Sequence, residues 1–205
     1  MVLKIVSVNI APLYSLGRQS MYSPAQSSQR HSGFTLIELV VVIIILGILA
    51  VVAAPKFLSL SEDAQVSHVK ATGGAFKSGI DLARAVWAVK VGDGPAENLP
   101  VFGDSDDNHV DFNANGWPAQ HYYTDDEESP KLDNVEDCIS VWEVLFQNKE
   151  PTVSKSNSAD ETDYKVSYDS SVPAVCMFSY TDNPNLSITY NSNNGSVVVD
   201  SDPSS

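Results

Sequence analysis

The sequence predicts an α+β fold in which a long N-terminal spine helix packs on a C-terminal four-stranded antiparallel sheet, with one short extra helix. Three patterns predict it. Leu39 to Ala54 is apolar without a break. Val69, Gly73, Phe76, Ile80, Ala83 and Trp87 then recur at spacings of four and three, the period of one helix face. Beyond Tyr164 the period falls to two, as in half-buried strands.

From Phe34 to Ala54 a helix rising about 1.5 Å per residue would span roughly 30 Å, the thickness of a bilayer core. The segment has no polar stripe, which argues against a soluble amphipathic helix, and it is too long and uniform for a buried core helix. Lys4, Arg18 and Arg30 precede it, while residues 1–33 hold no Asp or Glu. The positive-inside rule therefore places the N-terminus in the cytoplasm and everything after Pro55 outside it. A secretory signal peptide competes with an anchor, because Val52-Ala53-Ala54 satisfies the small-residue rule for cleavage. Its apolar core would be longer than usual, and Pro55 directly after Ala54 would hinder a cut there.

Pro55 removes a helical hydrogen bond and crowds the preceding turn, so a kink is expected near it. The stripe from Val69 to Trp87 makes the second half of the helix amphipathic, with Glu62, Asp63, Lys70, Lys77 and Lys90 mostly off it. Gly73-Gly74 weakens this half by about 1 kcal/mol per Gly relative to Ala, and Gly92-Asp93-Gly94-Pro95 ends it. Residues 95–132, rich in Asp, Asn, Gly and Pro, read as a long connection with little regular structure. Asn134 caps a short helix with Glu136 and Asp137 in its first turn. Its apolar face is Val135, Cys138, Ile139, Trp142, Leu145 and Phe146, and it ends near Asn148.

A polar linker from Pro151 to Glu161 precedes the strands. Tyr164, Val166 and Tyr168 alternate with Lys165 and Ser167, Val175 to Tyr180 is an apolar strand, and Leu186, Ile188 and Tyr190 form a third. Asp182-Asn183-Pro184-Asn185 turns the middle pair, and Asn194-Gly195 is a hairpin signal leading into Val197-Val198-Val199. So small a meander needs a cover, and the stripe from Val69 to Trp87 is the natural one. The two cysteines, Cys138 and Cys176, both fall on the outer side of the membrane, where an even count favours a disulfide. Closing that loop should contribute on the order of 3–4 kcal/mol and would clip the short helix to the second strand.

All 26 acidic residues follow Gly33, whereas Lys4, Arg18 and Arg30 of the 12 basic ones precede it; the net charge is −14. This balance argues against nucleic acid as a partner, since phosphate contacts need clustered Lys and Arg. It suits an exported surface kept soluble by its charge. No nucleophile–base pair, phosphate loop or Cys-x-x-Cys points to catalysis, a cofactor or zinc, and His68, His109 and His121 are scattered. Asp104, Asp106, Asp107 and the run Asp125 to Glu128 offer oxygen ligands for Ca²⁺ but lack EF-hand spacing, and read as a solvated loop. Trp117, Tyr122 and Tyr123 would suit a sugar-stacking face, yet read first as aromatics packing the loop onto the core.

Function is concentrated in Gly33-Phe34-Thr35-Leu36-Ile37-Glu38-Leu39, which sets a carboxylate at the head of a membrane-length apolar helix. An ionisable side chain there is expensive and marks a functional position. With Arg30 and His31 ahead of it, the run resembles the cleavage and methylation motif of type IV pilins, and the spine-plus-sheet layout is similar to their fold. The close resemblance covers about residues 30–58. Pro55 to Ala64, the Cys138 helix and the Asn-Gly hairpin look most like mannose-sensitive haemagglutinin (MSHA) pilins.

The resemblance implies a role for each residue. A prepilin peptidase would cut after Gly33, and the new Phe34 amine would be methylated. Glu38 would pair with the Phe34 amine of a neighbouring subunit, and Gly47 and Pro55 would bracket a stretch that unwinds in the filament. It divides the chain into a leader (1–33), a transmembrane and assembly helix (34–54) and a head outside the cytoplasm (55–205). Residues 1–20 have no clear role, and Met21 is the expected start of translation. The implied partners are other pilin subunits, the peptidase/methylase, the assembly platform and the inner membrane, which holds the prepilin before it joins an extracellular pilus serving attachment. A type II secretion pseudopilin is the rival within this fold. A membrane-anchored periplasmic binding module, using the aromatic and acidic loop, is the rival outside it.

Overall fold

The computed structural model describes residues 33–105, 108–121, 128–147 and 149–204. Lys4, Arg18, Met21, Arg30 and His31 lie outside the described residues, as do Asp106, Asp107, Tyr122, Tyr123, Asp125 to Glu127 and Asn148. Two compact units divide the chain, one through Gly47 and one from Ile48 onward.

Helix α1 (Leu36–Lys90) runs 55 residues without interruption, with Pro55 inside it. The proline removes one i→i−4 bond, and strong helix formers on either side carry the helix across the gap. In the first unit, every large apolar side chain of α1 is exposed, and none of its residues is buried. In the second unit all six residues of the Val69-to-Trp87 stripe are buried, together with Thr72. The helix ends where Val91 and Gly92 donate to Trp87 O and Gly92 takes φ 84°, a left-handed conformation that glycine adopts without strain.

Residues 96–120, expected to have little regular structure, fold into a three-stranded antiparallel sheet of β1 (Ala96–Pro100), β2 (His109–Phe112) and β3 (Pro118–Gln120), in that order. Strands this short cannot display a period. Register shifts interrupt both pairings, and Asn98 sits at φ 50° with its N–H donating to Asp111 Oδ1 at 2.6 Å. Its core joins Val110 and Phe112 to Ala83, Trp87 and Val144.

Helix α2 (Val135–Leu145) begins in a reciprocal cap. Asn134 Oδ1 accepts the Asp137 N–H at 3.0 Å, while Asp137 Oδ2 accepts the N–H groups of Asp133 and Asn134 at 2.8 and 3.1 Å. Burial pushes the Asp137 carboxyl up, against the downward pull of those N–H donors.

The main sheet has five strands rather than four and is mixed rather than wholly antiparallel: β4 (Val153–Lys155), β5 (Tyr164–Tyr168), β6 (Val175–Tyr180), β7 (Asn183–Asn191) and β8 (Ser196–Asp200), in sequence order. The added strand β4 lies in the expected polar linker and runs parallel to β5. Its inward residue is Ser154, so no apolar alternation announced it. Polar contacts close the short β4–β5 connection. The Lys165 ammonium donates to Ser154 Oγ at 2.9 Å, to Ser158 O at 3.2 Å and to Asp160 O. The Asp163 carboxylate accepts from Thr152 N and Oγ1, both at 2.7 Å.

Phe76 is central to the main core, with its ring 5.3 Å from Trp142, 5.6 Å from Phe178 and 5.7 Å from Tyr190. Cys138 of α2 and Cys176 of β6 are joined by a disulfide, with Cα atoms 5.7 Å apart and both side chains fully buried. Gly73 is where β8 meets α1: a Cβ there would lie 2.3 Å from Val199 Cγ2, whereas one on exposed Gly74 would meet nothing within 4 Å. The adjacent glycines should therefore respond in opposite directions. Gly74→Ala should stabilise the detergent-solubilised chain by up to about 1 kcal/mol through helix propensity. Gly73→Ala should lower stability by about 1–2 kcal/mol through overpacking. Thermal melts check both, and a gain for Gly73→Ala would contradict the close approach of β8.

Candidate functional site

The head of α1 is built by a cap. Gly33, Phe34 and Thr35 are non-helical, and the helix begins at Leu36. This puts Thr35 at the N-cap and Glu38 at the third helical position. Glu38 N–H donates to Thr35 Oγ1 at 3.3 Å, and Glu38 Oε2 in return accepts from Thr35 N at 2.7 Å and Thr35 Oγ1 at 2.8 Å. Two backbone donors that a helix start leaves open are thereby satisfied. Glu38 is exposed, as are the apolar side chains near it in sequence, Phe34, Ile37, Leu39, Val41 and Val42.

Read from sequence, Glu38 is a charge in an apolar segment; the structure adds an intrachain partner that reading missed. The signal was present, because Thr35-Leu36-Ile37-Glu38 ahead of an apolar run is the sequence form of a capping box. Of the other residues singled out there, Gly33 and Phe34 lie just before the helix, and Gly47 and Pro55 lie within it. The stretch between Gly47 and Pro55 is fully helical in this single chain.

From Pro55 on, α1 carries a second stripe that sequence reasoning did not single out. Phe57, Leu60, Ala64, Ser67, Ala71, Ala75, Ser78, Leu82, Ala85 and Val89 recur at spacings of three and four, and all are exposed. At about 100° per residue they fall within roughly 40° of one line, turned away from the buried face. No charged residue interrupts them. Leu82 is 51% and Val89 88% exposed. Helix α1 thus presents one apolar face to the sheets from Val69 to Trp87 and, from Phe57 to Val89, a second one, narrow and built largely of small side chains, to the surroundings.

Of the remaining candidates, Trp117 has a structural role. Trp117 is held between groups of its own chain: the Arg84 guanidinium lies 4.9 Å from its ring centre, and Gly195, at φ 70°, packs so closely that a Cβ would lie 2.2 Å from the ring. Arg84 also stacks 4.0 Å from the Trp87 ring and donates to Asn115 O at 2.7 Å. Trp117 is therefore a brace between α1, the β2–β3 turn and the β7–β8 hairpin, with its faces occupied. Among the described residues no three His, Cys, Asp or Glu side chains converge on a point suited to a metal ion.

Comparisons with known proteins fall on the N-terminal segment. The family model described as the prokaryotic N-terminal methylation motif matches residues 28–54. The type IV narrow pilus major component PilA5 of Thermus thermophilus is 46% identical over 54 residues, covering 26% of this chain and 47% of that one. The type II secretion system core protein G of Pseudomonas aeruginosa is 41% identical over 54 residues, covering 26% and 38%. The matched region thus spans less than half the length of either curated relative. No solved structure matches the chain.

Proposed function

We propose that this chain, whose N-terminal segment is that of a type IV pilin-like subunit, is a prepilin: cut after Gly33, methylated on the Phe34 amine and polymerised through α1 into a surface filament for attachment. The observation that carries the reading is Glu38. It is a carboxylate at the head of an exposed, membrane-length apolar helix, inside a segment matched by the N-terminal methylation motif. A bare charge among leucines and valines costs several kcal/mol. Subunits sliding past one another would therefore settle where the carboxylate meets a cation, and the Phe34 amine of a second copy is the cation that cleavage creates. The pair sets register even where it adds little net stability.

The second stripe on α1 supports the same reading, because an exposed apolar face with small side chains suits close approach of another helix. Cleavage and methylation would take place at the cytoplasmic face of the inner membrane, by the prepilin peptidase. An assembly platform would draw the helix out of the bilayer, and Gly47 and Pro55 would mark the stretch of α1 that yields on packing. The layout of Pro55 to Ala64, α2 and the Asn194-Gly195 hairpin favours the MSHA-like branch.

Type II secretion core protein G supports a second reading, a pseudopilin in a short periplasmic filament, because its similarity lies in the same segment. Intact mass spectrometry of the mature chain is expected to find methylated Phe34 at the N-terminus. A chain retaining its leader, or one starting after Ala54, would overturn both readings. Shearing separates them: a pilus releases the chain into the sheared surface fraction, and a pseudopilus leaves it in the periplasm.

A further inference from the structure

We propose that Thr35 is a positioning residue for assembly, holding one carboxylate oxygen of Glu38 within its own chain and leaving the other for the amine of a second copy. The inference rests on the pilin reading above and deepens it by naming what presents Glu38 to its partner. Both Thr35 donors, N at 2.7 Å and Oγ1 at 2.8 Å, converge on Oε2, and neither uses Oε1. A carboxylate has about four lone-pair sites; the cap fills one oxygen, and among the described residues no donor holds the other.

Two consequences follow from this division. In the chain still anchored in the membrane, Glu38 already holds two donors, which offsets part of the penalty of placing a charge in apolar surroundings. The cap also fixes the side chain, because a carboxylate bonded to both the amide and the hydroxyl of Thr35 cannot swing freely. A group held in its bound conformation loses less entropy on pairing. An unrestrained Glu38 would have to be both ordered and desolvated at the moment the neighbouring amine arrives.

The test uses the full chain, with each variant co-expressed with wild type in a filament-forming host. Quantitative mass spectrometry gives the ratio of variant to wild type in sheared filaments, divided by the same ratio in the cleaved membrane pool. Thr35→Val keeps the amide donor and the β-branched shape but loses the hydroxyl; Thr35→Ser keeps the hydroxyl. Incorporation of Thr35→Val is expected to fall about tenfold, the effect of one hydrogen bond to a charged group, with Thr35→Ser within about twofold of wild type. Because Thr35 acts through Glu38, the double variant Thr35→Val/Glu38→Gln is expected to be no worse than Glu38→Gln alone. Wild-type incorporation of Thr35→Val overturns the inference, and so does a double variant that falls a further tenfold, since Thr35 would then act on its own. Loss with Glu38→Gln but not with Thr35→Val removes this inference and leaves the pilin reading standing, whereas wild-type incorporation of Glu38→Gln removes the pairing of Glu38 with the neighbouring amine and this inference with it, the pilin reading then resting on the mature N-terminus alone.

Discussion

Glu38→Ala is expected to leave leader cleavage and membrane insertion at wild-type levels and to reduce sheared filament more than tenfold. The proposed cut lies between Gly33 and Phe34, where the chain is not helical, so removing a side chain from the first turn leaves the scissile bond unchanged. Insertion becomes easier, because an apolar methyl replaces a charge at the head of the segment. Assembly loses its register. Each 1.4 kcal/mol is a factor of ten in an equilibrium, and a carboxylate paired with an amine away from water competes against displacements that leave both charges bare, at several kcal/mol.

Glu38→Gln divides this effect into its parts. Glutamine serves at the third position of a capping box as glutamate does, so its side-chain oxygen accepts the Thr35 donors and the start of α1 is preserved while the charge is gone. The charge-pairing account expects the Gln variant to fail nearly as fully as the Ala variant in immunoblots of the sheared fraction. Filament from the Gln variant and none from the Ala variant would assign the role to the cap. Wild-type yield from both would refute the part played by Glu38 in assembly.

Long-range organisation was legible where side chains announced a period. The Val69-to-Trp87 stripe is continuous and bulky, and the strands from Tyr164 onward alternate over enough residues to be counted. What was missed was short, polar or small. Strand β4 turns only Ser154 inward, and β1 to β3 are broken by bulges and by the left-handed Asn98. The second face of α1 escaped because six of its ten residues are alanine or serine, whose weak apolar signal disappears beside phenylalanine and tryptophan. Gly73 was read as a loss of helix propensity; only the packing of Val199 shows why no side chain fits there. At the candidate site the motif is visible in the sequence, whereas the tether from Thr35, three residues earlier, is a short-range contact that only the geometry of the helix start displays.

Removing the Cys138–Cys176 disulfide should be the most damaging change to the folded head. The bond links residues 38 apart in sequence, and in the chain-entropy model a loop of that length is worth about 4 kcal/mol. Domains of ordinary stability hold about 5–15 kcal/mol in all, so the loss takes a large share. At about 2–4 °C per kcal/mol for a domain near this size, Cys138→Ala/Cys176→Ala should melt roughly 10 °C lower, and reductant should bring the wild type down by a similar amount. The link also ties α2 to the sheet on the side where Trp142 meets Phe178, at 4.6 Å between ring centres, so the untied state should lose protection first in α2 and β6 by hydrogen exchange. A melt unmoved by reductant would show that packing around Phe76 and Trp142 holds α2 in place without the bond. Because Thr35 and Glu38 belong to the other unit, the double variant should keep normal leader cleavage and lose filaments only in step with its folded fraction. That proportionality separates a stability defect in the head from the register defect expected of Glu38.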